Sequence, residues 1–168
     1  MAELGVLEAF EQYRPLGPDF LTWLAMSARA ENAVTLADGT RLELEVRGPL
    51  ALAAGGGEAT KVTLAGDDAV GAPELRSALG EGKRLVKARL VLTEGADQYA
   101  FTFNAETFDL SALKVPVPRI PDLAQYATDR VTAMQHLFDV VERAYEEFLA
   151  LRLAPEQWAE TVESWTAE

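Results

Sequence analysis

The sequence contains no cysteine and one histidine, His136. Without thiols there is no disulfide framework, no thiolate metal site and no cysteine nucleophile. One histidine, with Asp139 as the one acid at i+3 or i+4, does not complete a zinc or iron site. Ser27, Ser77, Ser111 and Ser164 all lack a nucleophile-elbow context. No apolar run approaches the ~18 residues that a membrane span needs. Met1-Ala2-Glu3 opens with neither a basic region nor an apolar core, so no secretory signal is expected. Basic residues are scarce: 15 Lys and Arg face 27 Asp and Glu, a net charge of −12. These deficits lead us to expect a non-enzymatic protein with no cofactor, no metal and no membrane partner. A thiol-free chain also fits a cytoplasmic location.

What is present suits a folded domain. The 168 residues are 49% apolar and 25% charged, enough to bury roughly 70% of the unfolded surface. We expect one α+β domain over 1–168. A helical N-terminus fills 1–30, an antiparallel sheet with a short helix fills 32–115, and a helical C-terminus fills 122–166. About five to seven strands are expected.

Leu4, Leu7 and Phe10 predict a short helix over 4–13, broken by Arg14-Pro15-Leu16-Gly17-Pro18. Asp19 is placed to cap a helix over 20–30, with Phe20 and Trp23 on one face. Val34, Leu36, Leu42, Leu44 and Val46 alternate with charged residues, as in a half-buried hairpin. A three-residue loop, Ala37-Asp38-Gly39, sets Val34 opposite Leu42 and keeps one face apolar, with Gly39 left-handed. Leu50 with Leu52, and Val62 with Leu64, predict two further strands. Pro73 and Gly80 or Gly82 bound a short helix. A second hairpin sets Leu92, Leu90 and Ala88 opposite Tyr99, Phe101 and Phe103 around a four-residue loop, 94–97. Its reverse face is polar and partly basic. Val115-Pro116-Val117-Pro118 reads as a linker. From Asp122, apolar residues Ala124, Ala127, Val131, Met134, Phe138, Val141, Tyr145 and Phe148 recur at spacings of 3 and 4, widened by Leu137, Val140 and Ala144. A helix of ~30 residues is ~45 Å long. Such a length predicts either a helix crossing the whole domain or a homodimer contact. Pro155 opens a final helix with Trp158 and Trp165.

The triple glycine 55–57 lacks the Gly-Lys-Ser/Thr ending of a phosphate loop, so it reads as a hairpin loop. Asp67-Asp68 has no calcium-loop spacing and reads as an exposed turn. From 129 to 168, nine acids face three bases, a local charge of −6. The exception to the acidity is 76–89, where Arg76, Lys83, Arg84, Lys87 and Arg89 outnumber Glu81. These five are the candidate DNA-binding residues. A net charge of −12 opposes long-range steering to DNA. Contact itself is less affected, because fields decay over roughly 8–10 Å at physiological salt.

Several segments in order resemble the RdgC family of recombination-associated proteins. Asp19-Phe20-Leu21-Thr22-Trp23-Leu24 is similar to its "EFLTWLW" segment. Pro73-Glu74-Leu75 through Ala78-Leu79, then Gly82-Lys83-Arg84-Leu85-Val86-Lys87-Ala88-Arg89-Leu90, resembles its helix and strand. Tyr99 to Phe103, and Leu110-Ser111-Ala112-Leu113-Lys114-Val115-Pro116, resemble the hairpin partner and its exit. Phe148 to Pro155 resembles the end of the last long helix. The likeness spans 17–158 and implies the C-terminal half of a longer relative. It further implies an α+β fold, a ring-shaped dimer, sequence-independent binding of duplex DNA and restraint of RecA-driven strand exchange. The expected partners are therefore duplex DNA, a second copy and a recombination protein, with the chain nucleoid-associated when bound. A competing expectation is an acidic interaction module that engages a basic partner and touches no DNA.

Overall fold

The computed structural model describes residues 16–54, 62–66 and 68–167. The expected helix over 4–13 and the triple glycine lie outside the described residues. The fold is α+β, a six-stranded antiparallel sheet with four helices among the described residues. Helix α1 is Leu16–Glu31, followed by strands β1 (Ala33–Thr35), β2 (Arg41–Ala54) and β3 (Val62–Leu64). Helix α2 is Pro73–Gly80, and β4 (Lys83–Glu94), β5 (Asp97–Asn104) and β6 (Asp109–Lys114) follow. Helices α3 (Leu123–Arg152) and α4 (Pro155–Thr166) complete the chain. The strand order is β1-β2-β4-β5-β6, with β3 pairing the far end of β2.

Both predicted registers are observed. Val34 pairs with Leu42, and Gly39 is left-handed with φ 87°. Leu92, Leu90 and Ala88 pair with Tyr99, Phe101 and Phe103. The second loop is tighter than expected, because Glu94 still pairs with Asp97. The reversal is made by Gly95-Ala96, and Gly95 supplies the positive φ that such a turn needs.

Three expectations are corrected. Helix α1 starts at Leu16 and runs through Gly17-Pro18, because proline lacks only an N–H that the first turn leaves unused. Asp19 therefore lies inside α1. Leu50 and Leu52 belong to the same strand as Leu42, since β2 passes through Gly48-Pro49 with two irregularities against β4. Residues 109–114 form a strand that alternation did not reveal. Ala112 there takes a φ of 49°, and the β5–β6 register shifts around it, which breaks the period of two.

The core lies on one face of the sheet. Leu42, Leu44, Leu90, Leu92, Phe101 and Phe103 are buried there beneath Phe20, Leu21 and Leu24 of α1. Helix α3 contributes Leu137, Val140, Val141, Ala144 and Phe148. Asp122 caps it by accepting from the Ala124 and Gln125 N–H groups. The buried stripe is thus largely the set that widened the heptad pattern. Val131 and Phe138 of the heptad seam itself remain exposed. The second half of α3 crosses the domain, and polar pairs tie it to two hairpin turns. Arg143 donates to Asp38, Glu147 accepts from the Ala37 N–H at 2.7 Å, and His136 meets Glu94 at 3.0 Å.

Trp23 is half-buried, with its ring 6.2 Å from Phe20 and 5.9 Å from Phe148. Trp23→Ala is expected to cost about 2 kcal/mol, below the ~3–5 of a fully buried large aromatic. Urea unfolding measures it. A loss near zero would show that the ring contributes no packing.

Candidate nucleic-acid interface

The five sequence-derived cations do not form one cluster. Lys83 is paired with Glu81 at 2.7 Å. Arg84 turns to the helical side and meets Asp19 at 3.2 Å. It also donates to the carbonyls of Leu79 and Lys83, and lies 5.2 Å above the Trp165 ring. Arg76 sits on α2, and its buried Nε has no hydrogen-bond partner. Arg76 is separated from Lys87 and Arg89 because it lies on α2, Arg84 because it alternates with them along β4, and Lys83 because the β2–β4 register shifts between it and Lys87.

Lys87 and Arg89 lie on the other face of the sheet. That face is built by alternation: Val46 and Leu90 are buried, so Arg47 and Arg89 beside them point outward. The register sets Arg47 directly opposite Arg89. Lys87 is two residues along β4, about 6.6 Å away. Lys114 of β6 pairs with Ala100 of β5 and so shares the same face. Four cations therefore spread over four adjacent strands, a width of about 14 Å. Sequence reading missed Arg47 and Lys114 because cross-strand register, not proximity in the chain, groups them with Lys87 and Arg89.

Each of the four has a defined environment. Arg47 makes a two-point contact with Glu45, at 2.8 and 3.1 Å. Those hydrogen bonds hold the Glu45 carboxyl below its usual range. The pair is exposed, so it is cheap to exchange for another anion. Arg89 spends Nη1 on the Thr102 hydroxyl and on the Ala112 carbonyl at 2.8 Å. Its remaining N–H groups have no partner among the described residues. Lys87 and Lys114 are exposed, and no ion pair engages either of them there. Like charges directly opposite each other on a sheet are destabilising. The Arg47–Arg89 juxtaposition is thus a cost that an arriving anion would relieve.

The acids are divided between the helices and this face. Glu146, Glu156, Glu160 and Glu163 are exposed on α3 and α4, while Glu43, Glu45 and Asp109 share the cationic face. Around His136, burial first, then Asp97 and Glu94, push the Tyr99 hydroxyl up. No serine side chain adjoins this group in the hydrogen-bond network of the described residues. No group of three His, Asp or Glu side chains able to hold a metal occurs among the described residues. No described helix is long and apolar enough to cross a membrane. No family model, curated protein or solved structure matches the chain.

Proposed function

We propose that this is a non-enzymatic protein acting in DNA recombination or its regulation, and that it binds duplex DNA weakly and without sequence preference. The contact surface is the open sheet face with Arg47, Lys87, Arg89 and Lys114. The observation that carries this reading is the Arg47–Arg89 pair, flanked by two lysines that no described carboxylate neutralises. Arg and Lys side chains standing on a sheet surface suit phosphates, which carry no sequence information. The ordered likeness of 17–158 to the RdgC family supports the same reading. The five cations first singled out thus reduce to Lys87 and Arg89, joined by two that the sheet register supplies.

Binding by four cations predicts a slope of log K against log salt of about −3.6, or roughly a 150-fold loss between ~50 and ~200 mM salt. Changing Lys87 and Arg89 to Ala should bring the slope to about −1.8. Lys83→Ala, which removes a cation that does not stand with these four, should leave it unchanged. Fluorescence anisotropy with a mixed-sequence duplex checks this. No binding at low salt with micromolar protein sinks the proposal. The homodimer expected from the length of α3 is a separate proposal, checked by sedimentation over a wide concentration range. A monomer throughout would remove the dimer and leave the DNA reading intact.

A second reading, an acidic module for a basic partner, is favoured by the exposed carboxylates of α3 and α4. Its test changes Glu146, Glu160 and Glu163 to Lys and leaves Glu147, which holds the 36–40 turn. Equal recovery of a basic partner by both forms would remove this reading.

A further inference from the structure

We propose that the groove between the free edge of β6 and α3 takes an extended peptide of a partner protein. The peptide would add as a strand to β6, place apolar side chains in the groove and flank them with Lys or Arg. This goes beyond the DNA reading and uses the sheet edge and its helical side, meeting the cationic face only at Asp109.

Three observations carry it. First, β6 ends the sheet, and no described strand pairs beyond it. An edge strand turns alternate N–H and C=O groups outward, a template for main-chain pairing. Arg89 already occupies the Ala112 carbonyl, and the backbone is irregular there, so the usable edge is Asp109 to Ser111. Second, that edge adjoins a groove of about 650 Å³ lined by Phe108, Leu110, Phe138, Val141 and Tyr145. Phe108 and Phe138 remain 40% and 44% exposed, which is unusual for rings beside a core. Third, the remaining lining residues are Asp109 and Glu142. Neither is ion-paired among the described residues, so the rim selects basic residues next to apolar ones.

The same rim argues against two other occupants. In a symmetric contact between copies, like surfaces meet, so carboxylates would face carboxylates on chains already at −12. The chain's own residues 1–15 carry Glu3, Glu8 and Glu11 against Arg14, and so bring more negative charge.

The test uses the full chain and a short synthetic peptide of alternating valine and lysine. Three companions are a serine–lysine version and two versions N-methylated at one or the other set of alternate amides. Anisotropy should show binding that falls at least tenfold for the serine–lysine peptide and for the Phe138→Ser protein. One N-methylated set should abolish binding while the other is tolerated, because only one edge of a strand pairs. Amide shifts should map to 108–114 and α3. Absence of binding, equal binding of all four peptides, or shifts confined to the open sheet face would overturn the proposal. So would a marked gain in affinity on deleting 1–14, which would show the chain's own segment in the groove. A concentration-dependent dimer abolished by Phe138→Ser would also overturn it, by showing a second copy there.

Discussion

Phe20→Ala is expected to lower the unfolding free energy by about 3–5 kcal/mol. Phe20 is fully buried, and its ring meets five others. Trp23, Phe103, Phe108, Tyr145 and Phe148 lie 5.1–6.2 Å from it, centroid to centroid. Those rings come from α1, β5, α3 and the 105–108 turn, so Phe20 joins the sheet to the long helix. The cavity cannot close easily, because α1 is already held against the sheet. A Cβ at Gly17 would collide with the Ala105 carbonyl, and the Thr22 hydroxyl accepts from the Leu85 N–H at 2.9 Å. A typical domain has only ~5–15 kcal/mol in total, so the variant should sit near its unfolding threshold. Urea denaturation followed by tryptophan fluorescence measures the loss. A value below ~1 kcal/mol would show that the five remaining rings repack without it, contrary to the tight core described above.

Asp19→Ala is expected to cost about 3 kcal/mol, or a fall of roughly 6–12 °C in Tm for a chain of this size. Asp19 is buried on the first turn of α1 and serves two guanidiniums at once. Its Oδ1 accepts from Arg84 at 3.2 Å, and its Oδ2 accepts from Arg152 at 3.1 Å. Arg84 stacks over Trp165 and Arg152 over Trp158. One carboxylate therefore ties α1, β4, α3 and α4 together. Removing it leaves two cations side by side without the carboxylate they share, which costs more than a surface pair is worth. The partial exposure of Arg152, with 34% of its side chain accessible, keeps the figure at the lower end of the buried range. Asp19→Asn keeps the shape and the acceptor oxygen, so it should recover part of the loss. Calorimetry of both variants checks this. Equal and negligible effects would show that Arg84 and Arg152 simply hydrate, and that the tryptophans alone hold α4.

Local chemistry was enough for much of the fold. Alternation through Val34–Val46 and Ala88–Phe103 fixed both hairpin registers, because a slip by one residue would bury charge and expose leucine. Asp122 and Pro155 marked helix starts through backbone donors that those residues satisfy or omit. The same reasoning failed at β6, where a left-handed Ala112 removes the period, and at Asp19, whose capping chemistry was outweighed by two guanidiniums brought from 65 and 133 residues away.

The amino-acid sequence by itself determined the class of fold, the two hairpins, the long helix and the scarcity of positive charge, since each rests on neighbours in the chain. Tertiary structure alone decided which cations stand together. Pairing of β2, β4, β5 and β6 assembles Arg47, Lys87, Arg89 and Lys114 on one surface, while folding of α1 and α4 onto β4 withdraws Arg84 into an ion pair. Charge interactions depend on distance through space, and in a sheet that distance is set by register between strands far apart in sequence.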